Sequence, residues 1–137
     1  MFTVTAKGIY GLSAMVELAR YYDQGSRQIK DIAEAHSIPQ HYLEQILVAL
    51  KKAGLVESFR GAQGGYALAK KPSQIMLIDI LTQLEGKLEV IPEQRKGNEL
   101  SFFWEELEYE IRRYLNRSLE DLLMAHEESK NQVFYSI

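Results

Sequence analysis

Six residues constrain this chain more than any others: Arg60-Gly61-Ala62-Gln63-Gly64-Gly65. Their three glycines supply positive φ and close backbone approach. They stand between Leu55-Val56-Glu57-Ser58-Phe59 and Tyr66-Ala67-Leu68-Ala69, two runs whose length and composition suit short strands. The spacing predicts a β-hairpin with Arg60 near its tip. Because the glycines join two strands rather than open a helix, they are not a phosphate-cradling nucleotide loop.

What precedes the hairpin gives it a setting. From Lys7 to Asp23 the residues Ile9, Leu12, Met15, Val16, Leu18 and Ala19 recur at helical spacing, with Gly25 as a stop. Residues 30–36 form one or two further turns. Ser37-Ile38-Pro39 breaks the period, and proline suits the first turn of a helix while disfavouring helix just before it, so a new helix opens near Pro39 and runs to about Ala53. Leu43, Ile46, Leu47 and Leu50 are its inner stripe, Gln40, His41, Glu44, Gln45 and Lys51 lie outside, and Gly54 is a left-handed cap. Two helices around a tight turn are a weak signal alone. Followed at once by a glycine-rich hairpin bearing an arginine, they read as a winged helix.

Charge supports that reading once the chain is divided. The net charge is −3, which argues against a nucleic-acid binder, yet residues 1–71 hold nine Lys/Arg against six Asp/Glu and residues 72–137 seven against thirteen. The front half therefore has the basic bias that phosphate contact needs, and the rear half does not. Apolar residues at 46% and charged residues at 26% are globular composition, and no run approaches the ~18 apolar residues of a membrane span. The N-terminus lacks a basic region followed by an apolar run of roughly 7–15 residues, so a soluble, cytoplasmic protein without a membrane partner is expected. With no cysteine, disulfides, thiolate metal sites and thiol nucleophiles are excluded. His36, His41 and His126 lie on separate elements without a ligand pattern around them, so no metal site is predicted. Without a Walker loop, a dinucleotide fingerprint or a nucleophile elbow, the chain reads as no enzyme.

Behind the hairpin, residues 75–84 form a helix that packs on the head and ends at Gly86. Residues 87–97 read as a loop. A long amphipathic helix begins near Asn98, with Leu100, Trp104, Leu107, Ile111 and Tyr114 at heptad spacing. That pattern is too short to separate a homodimer seam from packing on the same chain. Ser118 with Asp121 three residues later reads as a capping box for a last short helix, Leu119 to His126, before an extended tail from Asn131. The expected fold is thus mainly α with a small β-hairpin wing: a winged helix-turn-helix over 1–86, a loop over 87–97, and a dimerisation helix, short helix and tail over 98–137.

Four motifs in order carry a family resemblance: Lys7-Gly8 with Tyr10-Gly11-Leu12, then Tyr42-Leu43-Glu44-Gln45, then Gly54-Leu55-Val56, then Arg60 to Tyr66. The chain resembles the Rrf-type winged-helix transcriptional regulators from about Val4 to Gly86 and, through Ser118-Leu119-Glu120-Asp121-Leu122, almost to its end. The resemblance implies a homodimer whose long helices cross between subunits and whose two wings flank a palindromic operator in double-stranded DNA. Many members hold an iron–sulfur cluster on three cysteines. The matching segment here, Gly86 to Trp104, contains none, so no cluster is expected and the chain is similar to the cysteine-free branch that includes a repressor of cysteine metabolism. Ile9 stands where members commonly carry arginine, which would weaken one backbone anchor.

Site residues follow from geometry and resemblance together. Gln40, His41, Tyr42 and Gln45, at the start of the recognition helix, can reach base edges, and glutamine can bond adenine bidentately. The residues alone leave a solvated polar face as the alternative, and Tyr42 can instead pack its ring inward. Arg60, with Gly64 and Gly65 behind it, suits a narrow minor groove; Lys7, Lys51 and Lys52 suit phosphates, or are ordinary solubilising lysines. The end of the chain, Phe134-Tyr135-Ser136-Ile137, is similar to the aromatic tail of the cysteine-metabolism repressor. That likeness implies docking of the terminal isoleucine in the active site of cysteine synthase, with O-acetylserine competing. The alternatives are a tail packed on its own dimer in a regulator of another pathway, or a winged helix that binds only protein.

Overall fold

The computed structural model describes residues 3–62 and 64–136, excluding the side chains of 133–136. Helices α1 (Ala6–Arg20), α2 (Ile29–His36) and α3 (Gln40–Lys52) come first, followed by strands β1 (Val56–Phe59) and β2 (Gly65–Leu68). Helices α4 (Leu77–Glu85), α5 (Ser101–Leu115) and α6 (Leu119–Ser136) complete the chain, with single 3₁₀ turns at Pro72–Gln74 and Glu93–Arg95. The two strands pair antiparallel, Val56 opposite Leu68 and Phe59 opposite Gly65. The expected winged helix-turn-helix is present.

The turn between α2 and α3 is made by Ser37 in the left-handed conformation, φ 53°, which ends α2, and by Pro39, whose backbone is extended where α3 opens. Gly54 takes φ 79° and lets the chain leave α3 for β1. Leu43, Ile46, Leu47 and Leu50 of α3 are fully buried, together with Met15 of α1, Ile32 of α2, and Ile75 and Ile80 from the α4 region. The stripe predicted for α3 is therefore the floor of the head. On α1 one expected inward residue differs: Ile9 is exposed beside Leu12 and Val16, in a groove that Leu122 of α6 closes from one side.

The C-terminal part departs from expectation. The last helix does not stop at His126, and the tail is not extended: α6 continues to Ser136, 18 residues in all. After Leu119 there is no glycine or proline to end a helix, and Glu, Lys, Gln, Met and Ala sustain it, with Glu127 and Lys130 one turn apart. Its start is as predicted. The Ser118 N–H donates to Asp121 Oδ2 and the Asp121 N–H donates to Ser118 Oγ, both at 3.0 Å. Hydrogen bonding from the Ser118 backbone N–H, and after it from the Ser118 hydroxyl, holds the Asp121 carboxyl below its usual range.

Leu119 itself is fully buried in the core of the head. Its N–H donates to the Ile75 carbonyl and the Leu77 N–H donates to the Arg117 carbonyl, each at 2.8 Å, so the link between α5 and α6 is pinned to the entry of α4. Helix α5, by contrast, has no buried residue. Glu108 accepts the Val90 N–H and Arg112 donates to the Leu88 carbonyl, tying the preceding loop to the helix. Ile111 and Leu115 turn toward Leu81 and Val4 of the same chain. No helix among the described residues is long and apolar enough to cross a membrane.

Candidate nucleic-acid interface

The exposed face of α3 and the hairpin share a border. Gln40, His41, Glu44 and Gln45 are all exposed, and Lys51 reaches from the last turn to donate to Ser58 Oγ of β1 at 2.7 Å. Lys52 is exposed, and Lys7, at the start of α1, is half-buried. Tyr42 sits apart from this set: its ring meets Tyr10 edge-on at 5.8 Å and packs against the core. Its inward ring leaves the hydroxyl as its polar handle. Val48 was not anticipated. It lies exposed, one turn beyond Glu44 and one before Lys52, so the outer face has a methyl-bearing centre among polar neighbours. The signal was the 44, 48, 52 spacing, concealed because valine reads as core.

Arg60 follows β1 directly and is exposed at the bend of the hairpin. Two glycines behind it are required by geometry. A Cβ on Gly64 would overlap the Phe59 and Gly61 carbonyl oxygens, and one on Gly65, at φ 139°, would overlap the Arg27 carbonyl. The reason for the second contact is that residue 27 adds a bridge to the wing. The Arg27 N–H donates to the Tyr66 carbonyl at 2.8 Å and the Tyr66 N–H to the Arg27 carbonyl at 2.7 Å. Gln28 Nε2 also reaches the Ala62 carbonyl, at 3.5 Å.

Arg27 leads inward to a buried acid. Glu17, the one acidic residue of α1, has a side chain only 5% exposed. It receives Arg27 Nη2 at 2.8 Å and Arg20 Nη1 at 2.9 Å, with His36 Nε2 3.1 Å away. Burial raises its pKa, but hydrogen bonds from His36 and Arg27, and their charges, outweigh burial and hold it below the usual carboxylate range. The Arg27 guanidinium also lies over the Tyr21 ring, 4.1 Å from its centroid.

The expected dimer face is open only in part. Leu100 and Tyr114 are exposed, Tyr114 at 70%, while Trp104, Leu107 and Ile111 are half-buried. Phe103 extends the same side and meets Trp104 edge-on at 4.9 Å. Phe102 and Tyr109, 66% and 63% exposed, stand on the opposite side of α5. The tail residues Phe134, Tyr135, Ser136 and Ile137 cannot be placed in any site: the side chains of the first three, and Ile137 altogether, lie outside the described residues.

Between Gly86 and Trp104 the side chains that could donate to a metal are carboxylates, with no thiol or imidazole, and Glu93 is already paired with Lys96 at 2.9 Å. Such a set does not fit a thiolate-held cluster. Among the described residues no three His, Asp or Glu side chains converge as metal ligands.

A helix-turn-helix with an arginine-bearing wing defines a winged-helix protein. The chain belongs to the Rrf2 family, described as iron-dependent transcriptional regulators, whose sequence profile matches residues 4–125. It is 45% identical over 85 residues to the regulator CymR of Bacillus subtilis, a match spanning 62% of each chain. The solved structure of CymR, the global cysteine regulator of B. subtilis, superposes with a TM-score of 0.83 at 37% identity, covering 91% of this chain and 98% of that one. IscR of T. potens superposes with a TM-score of 0.77 at 40% identity, covering 93% and 90%. These relatives are regulators of transcription, not enzymes.

Proposed function

We propose that this protein is a homodimeric, sequence-specific regulator that binds a two-fold symmetric site in double-stranded DNA. The observation that carries the reading is the shared border of α3 and the wing: Gln40, His41 and Gln45 exposed on one element, Arg60 on the next, and Lys51 bonded across to Ser58. In this geometry α3 enters the major groove, the glutamines address base edges, Arg60 enters the adjoining minor groove, and Lys7 and Lys52 take phosphates. Val48 offers methyl groups to a thymine methyl, and Glu44 an acceptor to a cytosine amine. The exposed rings of α5 supply the apolar surface for a second copy.

Likeness to CymR, a global cysteine regulator, supports genes of cysteine metabolism as the target, and repression is the proposed mode. With no cysteines to hold a cluster, the signal enters otherwise, and docking of Ile137 in cysteine synthase is the proposed route. Selection of bound duplexes from a random pool, followed by anisotropy titration at several salt concentrations, tests the first proposal. A symmetric consensus bound with a steep salt dependence supports it, and unselective binding removes it. Calorimetric titration into cysteine synthase, with and without Ile137, tests the second: heat that disappears with Ile137 supports it, and none from the intact chain removes it.

A further inference from the structure

We infer that Arg27 and Glu17 are positioning residues for DNA binding, a strut that sets the attitude of the wing without touching DNA. The inference rests on the reading of Arg60 as a groove contact and says what holds Arg60 in place. A two-stranded hairpin on its own is marginal in water, so its direction must be set from outside. Val56 and Leu68 seat its base in the core and Lys51 ties β1 to α3, while toward the bend the support is the segment 27–28, which bridges Tyr66 with two backbone hydrogen bonds and holds the Ala62 carbonyl. That segment is in turn anchored by its own side chain, through the Arg27 guanidinium on buried Glu17 and over Tyr21. One residue thus faces the wing with its backbone and the core of the head with its charge.

The anchor is not explained by stability alone. Arg27 Nε is buried without a hydrogen-bond partner, a cost that an apolar side chain of similar length would not carry. Glu17 would still be met by Arg20 and His36 if Arg27 were absent. What only Arg27 supplies is a link between that carboxylate and the wing. Because the ion pair is little exposed and its carboxylate rigidly held, the hairpin inherits the orientation of α1, and with it that of α3, which packs against α1.

The test is a double-mutant cycle on the selected operator, with Arg27→Met, Arg60→Ala and the double variant, read by anisotropy and by amide hydrogen exchange. Arg27→Met keeps an unbranched apolar stem, removes the orphaned Nε and leaves Glu17 paired with Arg20 and His36, so the head folds. Expected is a loss of about tenfold for Arg27→Met, with the double variant binding no more weakly than Arg60→Ala alone. The Arg27 and Tyr66 amides should exchange faster while those of α3 do not, and Arg27→Lys should recover part of both effects. Losses that multiply, wild-type affinity in Arg27→Met, or unchanged Tyr66 protection would overturn the strut. If Arg60→Ala binds as wild type, the groove contact itself is wrong, and the strut falls with it for that separate reason.

Discussion

The carboxylate of Glu85, on the last turn of α4, accepts both the backbone N–H of Thr5 at 2.6 Å and the Thr5 hydroxyl at 2.9 Å, across 80 residues of chain. Thr5 is the residue at which α1 begins, and its own side chain caps nothing within that helix. The cap comes from another element, and the exposed N-terminal amides of α1 gain a negative charge beside them. Glu85→Ala should therefore lower stability by about 1 kcal/mol, and Glu85→Gln by less. Urea unfolding measures this. Gly8→Ala, whose Cβ would overlap both Glu85 Oε1 and Val4 Cγ1, should cost less in the Glu85→Ala background than in the wild type.

Acid should reach Glu17 only below the usual carboxylate range. Its folded pKa is depressed, so its contribution is fully present above the pKa of the unfolded chain and is lost as pH falls through the lower folded value. Glu17→Gln should be less stable than wild type by about 2 kcal/mol at pH 7, because Arg20 and Arg27 then lose their counter-charge in a largely dry site. The gap should narrow on titration from pH 5 toward pH 3. A gap independent of pH would show that the carboxylate charge contributes little.

Leu119→Ala should cost about 2–5 kcal/mol, as for a fully buried leucine of any core, although the residue belongs to the last helix. The same change at Met124, exposed on that helix, should stay within about 0.5 kcal/mol. Denaturant midpoints at unchanged slope would establish that α6 is part of the head's cooperative unit. A shallower slope for Leu119→Ala would instead indicate that α6 unfolds separately.

Replacing Phe103 and Tyr114 together by serine should shift the protein from dimer to monomer in sedimentation without unfolding it, because neither side chain is buried in the single chain. Affinity for a symmetric operator should fall in parallel. A monomeric wild type would remove the dimer proposal.

The sequence alone determined the local structure: the proline-opened α3 and its inner stripe, the left-handed exit at Gly54, the hairpin around three glycines, and the Ser118–Asp121 box. Each depends on residues within one turn or one hairpin of each other, where spacing and backbone conformation decide the outcome. The exposed positions Gln40, His41, Gln45 and Arg60 were legible for the same reason. Tertiary structure decided the rest. It turned Tyr42 onto Tyr10, exposed Val48, carried Leu119 into the core, and gathered Arg20, Arg27 and His36 around Glu17 from 3, 10 and 19 residues away. Burial and ion pairing depend on which elements meet, and nothing in the spacing of charges along a chain specifies that. The length of α6 belongs with these, since the tail from Asn131 reads as extended and the helix continues through it to Ser136. Propensity over so few residues is weaker than the extension of a helix already begun.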